Sequence, residues 1–101
     1  ARSWSVTIEP DQAPTVCQAL ATSEAVTLGQ LLTRADGSGD LLRAVPLLLQ
    51  RGQERLLRPG LDMPLQRDDR LLWCGRHSAR ATMRHNLVGH TLPLMQDQAS
   101  V

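Results

Sequence analysis

The side chains whose types and spacing could support catalysis lie near the C-terminal end of the sequence. Cys74 and His77 are three residues apart, and a thiol beside an imidazole can act as a nucleophile with its general base. However, Cys74 belongs to an apolar segment next to Trp73, which is typical of a core strand, whereas His77 begins a predicted helix. We therefore expect no catalytic residues in this chain and no enzymatic activity.

A metal site is the second kind of chemistry that these residues suggest. Cys74, His77, His85 and His90 could supply four ligands, but zinc sites normally draw on paired ligands at short, regular spacing. Only Cys74 and His77 have that spacing, so we interpret the histidines as surface residues near a helix and expect no metal or other cofactor. A small metal-binding module that uses Cys74, His77 and His85 is kept as an alternative function.

Arginine supplies the strong positive charge of the chain, which has eleven Arg, no Lys and ten acidic residues, for a net charge of +1. This near balance argues against binding to double-stranded nucleic acid, and two Trp without Phe or Tyr offer few platforms for stacking single-stranded bases. Arg76, Arg80 and Arg84 recur every four residues, which is typical of a solvent-exposed helix face. An acidic surface on a neighbouring domain is the alternative interpretation of this stripe.

Length and composition indicate one globular domain. Hydrophobic residues make up 42% of the 101 residues, and without Phe or Tyr the core is expected to be aliphatic. No apolar run approaches the roughly 18 residues that cross a bilayer. Two cysteines, Cys17 and Cys74, are too few for a disulfide-stapled scaffold, which favours two buried thiols in a reducing compartment. The chain begins without an initiator methionine, so we expect a domain of a larger protein.

The first half of the chain predicts one strand and two helices. Apolar and polar residues alternate over residues 3–9, which indicates a half-buried strand. A short helix is predicted over residues 13–21. Thr27 and Gln30 form a capping-box pattern at the start of a second helix, and the glycine-rich segment 36–40 ends it.

The second half predicts three strands and a helix, over residues 42–50, 54–58, 70–75 and 76–87 respectively. The first of these strands has a continuous apolar run, which predicts burial on both faces, and Pro46 indicates an edge or a bulge. Arg51, Gly52 and Gln53 form a tight turn between the first two strands. The predicted fold class is α+β, with a small, mostly antiparallel sheet, a β-hairpin and two to three flanking helices.

Four segments carry family-like motifs in a consistent order. They are WSVTIEP at residues 4–10, VTLGQLL at 26–32, VPLLLQRGQERLLRPG at 45–60 and MPLQRDDRLLWCGR at 63–76. Over residues 3–85 the chain resembles the TrkA-C domain, the C-terminal lobe of the RCK modules in prokaryotic potassium channels and transporters. The segments resemble that family's opening strand, helix start, hairpin and closing strand. We assign residues 1–88 to this lobe and 89–101 to a partly ordered tail.

The resemblance implies a regulatory and dimerisation domain on the cytoplasmic side of the inner membrane. Its partners would be a second copy of the lobe, a Rossmann-type domain and the membrane pore of the parent protein. A small anionic ligand would bind in a groove between two lobes, and the resemblance places that groove at Leu47, Leu49, Arg51, Arg58 and Pro59. A stabilising lobe of another membrane symporter is the alternative.

Three departures from the family pattern bear on these expectations. Residues 11–26 are longer than the usual connection, which indicates an added helix. Asp68 stands where the family has a glycine before Asp69, although a non-glycine residue adopts a positive φ less easily. Arg58 precedes Pro59, where nucleotide-binding members often have an asparagine, which weakens the expectation of a dinucleotide ligand.

Overall fold

Seven elements follow one another in the computed structural model, which describes residues 2–34 and 36–89. In chain order they are β1 (Arg2–Thr7), α1 (Pro14–Ala21), α2 (Leu28–Leu32), β2 (Ala44–Arg51), β3 (Glu54–Leu57), β4 (Arg70–Gly75) and α3 (His77–Val88). The fold is α+β, with the predicted order of strand, helix, helix, hairpin, strand and helix. The predicted tail from residue 90 onward lies outside the described residues.

The strands form a single antiparallel sheet in the order β1-β4-β2-β3. β4 therefore lies between the first strand and the hairpin, although it comes last in sequence. The hairpin turns at Gly52, whose φ of 61° lies in the left-handed region that glycine adopts without a side-chain clash. This topology confirms the predicted small antiparallel sheet with a β-hairpin.

One face of the sheet, here called the covered face, carries the core. Trp4, Val6, Leu49, Leu71 and Trp73 lie on it, and each is at most 7% exposed. The core is mainly aliphatic, as predicted, with both tryptophans added to it. The helices pack their apolar residues against this face: Val16 and Ala19 from α1, Leu28, Leu31 and Leu32 from α2, and Ala79, Met83 and Leu87 from α3.

The prediction for β2 was wrong in its burial. The strand begins at Ala44 and ends at Arg51, and within it only Leu49 is buried, while the other residues are half-buried or exposed. Helices cover one side of the sheet, so a central strand here has one buried face. Pro46 behaves as predicted, because the pairing with β4 shifts register between Pro46 and Leu48.

The helices are short, and none in the described part of the chain is long and apolar enough to cross a bilayer. α2 has the predicted capping box, in which the Thr27 N–H donates to Gln30 Oε1 at 2.9 Å. Near its other end, the Asn86 side chain of α3 donates to the carbonyls of Leu31 and Thr33 at 2.9 and 2.8 Å. A helix this short is not stable alone, so these contacts and its packing maintain it.

Candidate functional site

The five residues that the resemblance assigns to a ligand groove lie in different environments. Leu49 is fully buried in the core, and Pro59 is buried as well. Leu47 is half-buried, and Arg58 is exposed with a left-handed φ of 48°. Together with Arg51, described next, these side chains do not form one exposed surface within a single copy. Their role in binding a ligand stays a prediction.

The Arg51 guanidinium is paired with a buried carboxylate. Nε donates to Asp69 Oδ1 at 2.8 Å and Nη2 to Asp69 Oδ2 at 2.7 Å, a bidentate pair. Nη2 also donates to the carbonyl of Pro64 at 2.9 Å. Three of the five N–H donors of this arginine are thus used inside the domain. The Asp69 hydrogen bond raises the pKa of Arg51, so the guanidinium remains charged.

Asp69 connects the hairpin to the loop before β4. Its side chain is 0% exposed, against 29% for Arg51, and the Gln66 N–H donates to Asp69 Oδ2 at 2.8 Å. Asp68 beside it has a φ of 72°, and Asp69 N–H donates to the Gln66 carbonyl at 3.2 Å, which closes a four-residue turn. The third position of such a turn with positive φ is one that glycine favours. Asp68 therefore has a backbone conformation that glycine would adopt more easily.

The opposite side of the sheet, here called the open face, carries an apolar cluster. Cross-strand pairs place its members together, since directly opposed residues share a face. Val45 opposes Cys74, and Leu48 opposes both Leu72 and Leu57. Val45 is 55% exposed and Leu57 is 80% exposed, while the other three members are half-buried. We call these five residues the open-face cluster.

Polar residues surround the open-face cluster. Ser3 and Ser5 of β1 oppose Cys74 and Leu72, and Gln50 opposes Arg55 and Arg70. A shallow groove of about 430 Å³ lies between four of these rim residues, Ser3, Ser5, Gln50 and Arg70, and the cluster leucines Leu48 and Leu72. An apolar centre within a polar rim is the arrangement found in protein–protein interfaces.

The residues that the resemblance assigned to a ligand groove omit two exposed apolar residues of the open face. Val45 and Leu57 are 55% and 80% exposed. The sequence did contain a signal, the adjacent Leu56 and Leu57 in β3. Neighbouring residues of a strand point to opposite faces, so one of these two leucines must face away from the core.

The cysteine and histidine residues do not form a metal centre in the part of the chain that the structure describes. No three side chains of the Cys, His, Asp and Glu types come together there, and His90 lies outside it. Cys17 and Cys74 are free and only partly buried, so the expectation of two buried thiols was too strong. Burial raises the pKa of the Cys17 thiol, which disfavours the reactive thiolate.

Comparison with known proteins finds no matching family model, no matching curated protein and no matching solved structure.

Proposed function

We propose that this chain is a cytoplasmic regulatory and dimerisation domain of a potassium channel or transporter, acting without catalytic chemistry of its own. The sequence resemblance over residues 3–85 is one support for the proposal. The observation that carries the proposal is the open-face cluster. A domain of this size has few apolar side chains to spare, yet it leaves Val45 and Leu57 more than half exposed on one contiguous surface.

A second copy of the chain is the partner that we assign to the open face. A two-fold axis through the sheet would bring the same cluster from each copy into contact, so an interface of this kind needs only one self-complementary patch. Arg55 and Arg70, which stand in the rim, would remain at the edge of the contact, where guanidinium groups keep their water. The apolar residues at the centre would lose theirs.

If two lobes pair, a ligand can regulate them, because ligand binding is linked to the arrangement of the pair. A ligand that binds one arrangement of the two lobes better than another shifts the population toward that arrangement. The size of the shift is limited by the difference between the two affinities, whatever the absolute affinity. The displaced lobes would then act on the Rossmann-type domain and the pore of the parent protein.

The test of this proposal is the oligomeric state of the domain and its dependence on the open face. Sedimentation velocity from low to high micromolar concentration should show a monomer–dimer equilibrium for the wild type. Leu57→Glu should be monomeric, since it places a charge at the centre of the contact. Val88→Glu is the matched control, because Val88 is 46% exposed but lies on α3. A wild type that stays monomeric at high micromolar concentration would overturn the proposal.

The symporter alternative differs in what the pairing does. If the lobe only stabilises an assembly, Leu57→Glu in the full-length parent should lower the amount of assembled protein and leave ion flux per assembled molecule unchanged. If the lobe regulates transport, flux per assembled molecule should change as well. Ion flux into vesicles, normalised to the assembled protein they contain, distinguishes the two.

A metal-binding module is the third function, and its residues are spread over two elements. Cys74 belongs to the open face of β4, whereas His77 and His85 belong to α3. Elemental analysis of the purified protein tests it directly. Stoichiometric zinc that is lost on Cys74→Ser would favour this function over the regulatory lobe.

A further inference from the structure

A cavity of about 620 Å³ beside the start of α3 brings together arginines from three separate segments. Arg34 follows α2, Arg43 precedes β2, and Arg76 precedes α3. Ser78 and Thr82 of α3 line the same cavity. This volume lies within the roughly 300–1,000 Å³ that is typical of small-molecule sites.

Backbone contacts hold the arginine-bearing segments in place. The Arg76 N–H donates to the Arg43 carbonyl at 3.4 Å, and the Arg34 N–H donates to the Asp40 carbonyl at 2.8 Å. Gly75 makes the first contact possible, because a Cβ atom at this position would lie 2.6 Å from the Arg43 carbonyl oxygen. The two arginines nearest this contact are therefore fixed at their backbones.

Two of the three arginines at the cavity, Arg43 and Arg76, are available to bind an anion. Arg34 pairs with Asp36, its Nε 3.2 Å from Oδ2. Hydrogen bonds from Ser38, and then the Arg34 guanidinium, lower the pKa of Asp36 to about 2, so that pair stays charged at neutral pH. Within residues 2–34 and 36–89, the structure gives Arg43 and Arg76 no ion pair.

The cavity is also lined by a carboxylate and two hydroxyl groups, and α3 begins beside it. Asp40 contributes one carboxylate, so the lining carries three positive charges and one negative charge. Thr82 Oγ1 donates to the Ser78 carbonyl at 2.9 Å, so the Thr82 hydroxyl proton is already used and Ser78 is the hydroxyl donor that we assign to a guest. α3 also begins here without a side-chain cap and without an acidic residue in its first turn. The cavity with its arginines defines the site, and the helix end adds to its positive potential.

We propose that this cavity binds a small molecule that carries a phosphate group, with Arg43 and Arg76 holding the phosphate oxygens and Ser78 donating a further hydrogen bond. Guanidinium groups match phosphate geometry through paired N–H donors, and two of them facing one cavity favour a dianion over a single carboxylate. The site shares no residue with the open-face cluster. It therefore stands independently of whether two copies of the domain associate.

Isothermal titration of the full chain with inorganic pyrophosphate, at ionic strength matched with sodium chloride, tests the proposal. We expect saturable binding to the wild type. Arg43→Gln and Arg76→Gln should each weaken it by about tenfold or more, the loss expected for one hydrogen bond to a charged group. Arg84→Gln is the matched control, since Arg84 is an exposed arginine of α3 that lies outside this cavity.

Three outcomes would overturn the site. If pyrophosphate binds no more strongly than chloride, the cavity is not a phosphate-binding site. An equal loss in Arg84→Gln would indicate diffuse attraction to a basic surface. Binding to phosphatidylglycerol vesicles that depends on Arg43 and Arg76, without pyrophosphate binding, would assign the cavity to lipid headgroups.

Two controls keep the result interpretable. Circular dichroism checks the fold of each variant, and amide NMR shifts of the wild type during the titration give an independent readout around Arg43, Arg76 and Ser78. The absence of shifts there would contradict the proposal even if a variant failed to fold. Leu57→Glu should bind pyrophosphate as the wild type does, so failure of the phosphate site and failure of the dimer can be distinguished.

Discussion

The two faces of the sheet use the same kinds of residue for different purposes. Leu71 and Leu72 are neighbours in β4, yet Leu71 is fully buried beneath the helices and Leu72 is half-buried on the open face. Leu49 and Leu48 differ in the same way in β2. A strand residue belongs to one face or the other by its position, so adjacent leucines can serve folding and association separately.

A large loss of stability is expected for Leu71→Ala on the covered face, with Leu72→Ala as its counterpart on the open face. Removing Leu71 leaves a cavity in the core, and we expect the free energy of unfolding to fall by about 3 kcal/mol. Leu72→Ala should cost about 1 kcal/mol or less, since its side chain keeps partial contact with water. Urea unfolding at a concentration where the domain is monomeric measures both. Equal losses would show that the two faces are packed alike.

Arg51→Met should be about equally destabilising, by about 3 kcal/mol, because Asp69 would remain as a buried and uncompensated charge. Arg55→Met is the control, since Arg55 is an exposed residue of β3 and its loss should change stability by less than about 0.5 kcal/mol. Chemical denaturation provides the comparison. If both variants lose the same stability, the ion pair between Arg51 and Asp69 contributes little, and Arg51 could bind a ligand instead.

Asn86→Ala tests how much the buried hydrogen bonds between α3 and the end of α2 contribute to stability. Asn86 is 1% exposed and its side-chain N–H groups reach the carbonyls of Leu31 and Thr33. Without them those buried carbonyls lose their partner, and we expect a loss of about 2 kcal/mol. Thermal unfolding of Asn86→Ala beside Arg84→Ala, an exposed position of the same helix, measures this loss. A neutral Asn86→Ala would mean that α2 needs no such support.

The smallest effect is expected in the turn before β4, away from the open face. Asp68→Gly should raise stability by about 0.5 kcal/mol, because glycine relieves the left-handed strain but also gains freedom in the unfolded chain. Arg67→Gly at the preceding position should lower it, since nothing in its backbone conformation calls for glycine. Differential scanning calorimetry resolves the sign. A loss of stability in Asp68→Gly would show that its side chain contributes more than its conformation costs.

Local patterns were enough to predict most of the elements. Three features were predicted from local residue patterns and are confirmed: the capping box at Thr27, the strand over residues 70–75 and the stripe of Ala79, Met83 and Leu87. These features depend on residues within one or two turns of each other, so neighbouring positions contain the information.

The features that were missed depend on contacts between distant segments. The run of leucines in β2 does not reveal which side faces the core, and the bulge after Pro46 changes the phase of the alternation. The pair between Arg51 and Asp69 was also missed, because Asp69 lies eighteen residues away and reaches Arg51 only once the hairpin folds against the loop. The cavity between Arg43 and Arg76 likewise exists only because Gly75 lets two segments approach each other.

The most direct test of the role of the open face is a dilution series followed by NMR of the leucine and valine methyl groups. We predict that the methyl signals of Val45, Leu57 and Leu72 shift together with concentration and fit a single dissociation constant. Those of Leu49 and Leu71 should stay in place. Methyl shifts that are absent, or that appear at Val88 and leave the open-face cluster unchanged, would contradict pairing through this face.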